Sequence, residues 1–147
     1  ITHSKFKRGN IDLIRKHKLE DFAFNADEFS ARVFFLDCNK VVFSEGTFFY
    51  RQDNEQAITK KLSYNTFDLA YTQFRLYRLV RDNAFPNSVV EKEALKVVSI
   101  LRNLRSLLES NRSRLSPHDL EQAQSRIMKC IDCLKNDSMF SAVIDMI

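Results

Sequence analysis

"VVEKEALKVVSILRNLRSLLES", residues 89–110, carries the cleanest periodicity in the chain. Ala94, Val97, Val98, Leu101, Leu104, Leu107 and Leu108 recur three and four residues apart, the spacing that gathers side chains on one face of an α-helix. Just upstream, Pro86 disfavours helix for the residue before it, so the chain should break at "AFPNS". Ser88 then reads as the N-cap, with Glu91 at the capping-box position three residues later.

Working outward, the same logic predicts more helices. In "SPHDLEQAQ", Ser116 is an N-cap, Pro117 takes the first helical position and Asp119 the third. The helix they start presents Leu120, Ala123, Ile127, Ile131 and Leu134; Asn136 interrupts it before Phe140, Val143, Ile144 and Ile147. Upstream, Thr66 reads as the cap of "FDLAYTQFRLYRLVRDN". Residues 51–65 are the most polar stretch and read as a surface connection or a short helix. "NADEFSARVFFLDCNKVVFSEGTFFYR" is expected to be a central helix buried on several sides, capped by Asn25 or Asp27 and ended or kinked by Gly46. Its "VFFL" also suits a buried strand. A first helix is expected over about residues 9–19, with Ile11 and Ile14 inward.

Composition agrees with helices. The 147 residues contain two glycines and two prolines, too few for a protein of many hairpins and too few for a glycine-rich phosphate loop. The expected fold is all-α, an antiparallel helical bundle or a short helical solenoid, formed by residues 1–147 as one domain. No fixed-period repeat is visible, which favours the bundle. The chain begins with Ile1 and is read as a segment of a longer protein.

Charge is concentrated at the start. Six of the first eighteen residues are Lys or Arg against one acid, so this end holds +5 of a chain whose total is +4. Lys5, Lys7, Arg8, Arg15, Lys16 and Lys18 are the candidate contacts for an anion, either acidic lipid headgroups or nucleic-acid phosphates. Arg75, Arg78 and Arg81 interleave with Tyr71, Phe74 and Tyr77, a pattern able to grip phosphates. We read them instead as arginines lying over their own aromatic neighbours, with Asp68 and Asp82 as partners. Phe43, Phe48, Phe49 and Tyr50 are denser than one helix face can bury and form the candidate protein-interaction surface.

Catalytic and metal chemistry find little support. Cys130 and Cys133 have C-x-x-C spacing, but Cys38 and His118 are the only obvious further donors and stand at no recognisable spacing. Cys130 aligns with Ile127 and Leu134, where cysteine serves as a small apolar filler. The histidines lie beside no plausible nucleophile. No enzyme activity and no cofactor are expected. The odd cysteine count without a disulfide framework suggests an intracellular, cytoplasmic protein, and no apolar run is long enough to span a membrane.

Two families share patterns with this chain. "HSKFKRGNIDLIRKHK" resembles the segment after the wing of heat-shock-factor DNA-binding domains, with Phe6, Arg8, Leu13 and Ile14 at matching positions. That resemblance implies a nuclear, nucleic-acid-associated protein. The ANTH domain of clathrin-assembly adaptors is matched over more of the chain. "ITHSKFKRGNIDLIRKHKLEDF" is similar to its "H…RGN…I" helix, "FSARVFFLDCNKVVFSEGTFFYRQ" to its helix ending in "YRQ", and "EALKVVSILRNLRSLLES" to its "LL…L…LL" helix. This implies a non-enzymatic helical adaptor with a protein partner and acidic-lipid contact. The family's phosphoinositide motif is not reproduced: Lys5 with Arg15 and His17 matches it in part and in another register, so the lipid site is not carried over. A third expectation is a subunit-interaction scaffold sealed through the Phe-rich surface.

Overall fold

A computed structural model describes residues 15–16, 26–40, 42, 45–46 and 62–141. Among them lie α1 (Ala26–Asp37), α2 (Leu69–Asp82), α3 (Asn87–Ser110) and α4 (Pro117–Lys135), with 3-10 turns at Tyr64–Asp68, Arg112–Arg114 and Ser138–Phe140. The fold is all-α, with no strand among the described residues.

Helices α2, α3 and α4 share the main core. Val97, Leu101, Leu104 and Leu108 of α3 are buried against Phe74, Tyr77 and Val80 of α2 and Ala123, Ile127, Cys130 and Leu134 of α4. Full burial of each large apolar side chain contributes about 1.5–3 kcal/mol. Contacts far apart in sequence give the directions. Gln73 meets Glu93 across the link at Asn83–Pro86, so α2 and α3 run antiparallel. Asp68 meets Arg126 and Tyr77 meets Asp137, so α4 runs parallel to α2 and antiparallel to α3.

The turn from α2 to α3 has a specific cause. The Phe85 N–H donates to the Val80 carbonyl and the Ala84 N–H to that of Arg81, both at 3.1 Å. This is the Schellman closure, and it places Ala84 at φ 55°, a left-handed conformation that glycine usually supplies. Helix α3 then begins at Asn87, where Pro86 supplies the carbonyl for the Val89 and Val90 N–H groups. Ser88 is therefore inside the helix and does not cap it. Thr66 is displaced in the same way. The 3-10 turn starts after Ser63, whose N–H donates to Thr66 Oγ1 at 3.5 Å, and the α-helix follows from Leu69. Ser116 caps α4 as expected, accepting the Asp119 N–H at 3.1 Å with Pro117 behind it.

α1 differs most from expectation. It forms a helix over the "VFFL" run but ends at Asp37, well before Gly46. It is not central: Phe29 and Val33 pack on Leu76 and Leu79 of α2 as a small separate cluster, while Phe35 and Leu36 are exposed. After α4, Asn136 ends the helix and the 3-10 turn carries Phe140 back into the core, edge-on to Tyr77 at 5.0 Å.

Candidate functional site

Of the six N-terminal cations, Arg15 and Lys16 fall within the described residues; both are helical and exposed. Lys5, Lys7, Arg8 and Lys18 lie outside the described residues, as do Phe43, Phe48, Phe49 and Tyr50 and the Asn25 cap.

The arginines of α2 are occupied. Arg81 Nη1 donates to Asp137 Oδ2 at 2.6 Å and to the Tyr77 hydroxyl at 3.1 Å, and its guanidinium covers the Tyr77 ring at 5.3 Å. Arg78 pairs with Asp82 at 3.3 Å. Arg75 donates to the Tyr71 hydroxyl of its own helix at 3.4 Å and lies over Phe29 of α1 at 5.6 Å. Asp68 serves none of them and pairs with Arg126 instead, because α4 brings Arg126 to the start of α2.

Besides Asp68, two further buried carboxylates tie the bundle together. Glu93 is 5% exposed and accepts from Gln73 Nε2 at 2.6 Å, Lys96 Nζ at 2.8 Å and Arg32 Nη1 at 3.5 Å, tying α1, α2 and α3 at one point. Burial alone would raise its pKa, but the hydrogen bonds from Lys96 and Gln73 outweigh this and hold it below the ordinary value. Asp137 accepts from Tyr77 and Arg81 and, at 3.2 Å, from the Met139 N–H, which fixes the turn that inserts Phe140. Burial raises the Tyr77 phenol, opposed by the Arg81 hydrogen bond and reinforced by Asp137.

The cysteine pair is structural in its surroundings. Cys130 is fully buried in the main core, and burial pushes its thiol up to about 12. Cys133 is raised as well, chiefly by burial, with Lys129 opposing. Among the described residues no three His, Cys, Asp or Glu side chains gather to hold a metal ion.

A surface that the sequence reading missed runs along α3. Glu91, Leu95, Val98, Arg102, Arg105 and Glu109 are spaced four, three, four, three and four residues apart and so share one stripe. Leu95, Val98 and Arg102 line a depression of about 410 Å³ with Met139 and Phe140. Arg105 and Glu109 line the next, of about 450 Å³, with Ile127, Met128 and Ile131 of α4. Leu95 is 71% exposed, Met128 47% and Met139 45%. Arg102 and Arg105 are exposed and have no ion pair among the described residues.

The stripe's own two arginines and two glutamates cancel, but the segment that contains it revises the picture of charge. Residues 69–118 contain nine Lys or Arg against four acids, a net +5 equal to that of the N-terminal segment. The signal was present in the sequence, but acidic residues on either side cancel it when everything after residue 18 is summed.

Comparison with known proteins found no matching family model, no matching curated protein and no matching solved structure. No helix among the described residues is long and apolar enough to cross a membrane.

Proposed function

We propose that this chain is a non-enzymatic helical interaction domain whose protein partner seats on the outer stripe of α3. One observation carries the reading: two apolar-floored depressions lie along the same stripe, lined by the exposed side chains of Leu95, Met128 and Met139. Aligned apolar exposure of this kind marks interaction surfaces, and methionine suits one that adapts to its partner. A helix laid into the groove would bury these side chains together.

Selection of displayed helical peptides against the 147-residue chain tests the proposal. Leu95→Gln and Met128→Gln change neither charge nor core. Selected peptides should lose about tenfold in affinity against each, with thermal unfolding unchanged. Binders indifferent to both substitutions would overturn the reading.

A second contact, with an acidic lipid surface, is supported by Arg15 and Lys16 standing exposed in helical conformation. Each basic residue near such a surface contributes about 1 kcal/mol. Co-sedimentation with phosphoinositide vesicles should weaken when Arg15, Lys16 and Lys18 are reversed to Glu. Equal pelleting of the two proteins would remove this contact.

A further inference from the structure

The outer stripe of α3 specifies more than a greasy surface. Its alternating four- and three-residue spacing is the seam pattern that receives another helix. From Glu91 to Glu109 it extends about 27 Å at 1.5 Å per residue, the length of five helical turns. Seam positions in a sealed bundle are usually apolar, yet the fourth and fifth of the six here are Arg102 and Arg105.

Those two arginines stand apart from the others in α1–α4. Arg32 holds Glu28 and Glu93, Arg78 holds Asp82, Arg81 holds Asp82 and Asp137, and Arg126 holds Asp68. Arg75 donates to the Tyr71 hydroxyl at 3.4 Å and lies over Phe29. Among the described residues Arg102 and Arg105 have no ion pair, Glu109 beside Arg105 being turned to Arg112, while apolar side chains lie next to both. A guanidinium pairs best with a carboxylate in fork geometry, and its aliphatic stem can cover apolar surface as it does so.

We propose, building on the docking reading above, that the occupant is an amphipathic helix with acidic residues at its centre. Its apolar side chains fill the two depressions, and its central carboxylates meet Arg102 and Arg105. Glu91 and Glu109 stand at the two ends of the stripe, so acids at the ends of the occupant are disfavoured and the register is set. Glu109 is itself held by Arg112 at 3.6 Å, which leaves Glu91 as the stronger end marker. A nucleic acid fits this surface less well. Its phosphates would find two cations between two acids, and the apolar floor would go unused.

The experiment takes the tightest peptide from a charge-unbiased selection and varies two central solvent-flanking positions as Glu, Gln or Lys. Dissociation constants for the full chain are read by fluorescence anisotropy at low and high salt. The Glu peptide should bind about tenfold more tightly than the Gln peptide, with Lys weakest, and the spread should shrink at about 0.5 M salt. Arg102→Glu with Arg105→Glu should invert the order, which a loss of folding would not do. Equal binding of Glu and Gln peptides that still depends on Leu95 overturns the acidic occupant and leaves the docking site standing. If selection yields no peptide sensitive to Leu95→Gln, both fall. Displacement of the peptide by a short single-stranded RNA, abolished in the double arginine variant, overturns the proposal in favour of nucleic acid.

Discussion

Along α3, Val90, Ala94, Val97, Leu101, Leu104 and Leu108 form one stripe, and Glu91, Leu95, Val98, Arg102, Arg105 and Glu109 form another, one residue later at every step. A single residue turns the helix by about 100°, and that rotation separates two fates. Every member of the inner stripe is buried between α2 and α4. On the outer stripe Val98 is half-buried, while Leu95 and both arginines are exposed. Identical spacing therefore gives identical geometry but not identical occupancy. What closes the inner stripe is that all six residues are apolar, so the chain's own helices can cover it without stranding a charge.

The contrast is most easily broken at Leu101. Replacement by Ala should cost about 2–5 kcal/mol in urea unfolding, since a fully buried side chain leaves a cavity. A loss below about 1 kcal/mol would mean that the inner stripe is not the core. Glu93 tests how firmly the sealed side is tied. Glu93→Ala strands the buried Gln73 amide and should cost about 1–3 kcal/mol.

The same residue gives a pH signature. Because folding lowers the Glu93 pKa, the ionised form stabilises the native state at neutral pH, and that contribution is lost as pH falls from the ordinary carboxylate range through the folded value. Glu93→Gln should flatten this part of the acid-unfolding curve, and an unchanged curve would assign the acid sensitivity to other carboxylates. Ala84 sets the turn that brings the inner stripe onto α2. Its left-handed conformation makes Ala84→Gly stabilising, by up to about 1 kcal/mol after the entropy of the unfolded glycine is offset. The smallest effect belongs to the outer stripe: Leu95→Ala should shift stability by no more than about 0.5 kcal/mol. A larger loss would show that Leu95 packs within the chain.

The inner stripe and the cap of α4 were legible because the signals are local and agree. Apolar spacing marked Ala94, Val97, Leu101, Leu104 and Leu108, and Ser116-Pro117 marked the start of α4. Ser88 misled because the capping-box pattern is real, but Pro86 initiates the helix two residues earlier. Glu93, Gln73 and Asp137 carry no local signal of burial, since it depends on partners from 20 to 60 positions away. The outer stripe escaped notice because two arginines and two glutamates interrupt an apolar count, although they keep its period. "VFFL" lies in a stretch expected to be central, yet the buried apolar cluster of α1 with α2 is limited to Phe29, Val33, Leu76 and Leu79.

The three thiols give this chain a built-in set of clocks. Cys38 is exposed, Cys133 partly covered and Cys130 sealed in the core. Cys130 is fully buried and burial pushes its thiol up, so an alkylating reagent reaches it on the timescale of α4 leaving its neighbours. Labelling of the three sites in one sample, read by peptide mass, would separate surface reactivity, local fraying of α4 and global opening without any engineered cysteine.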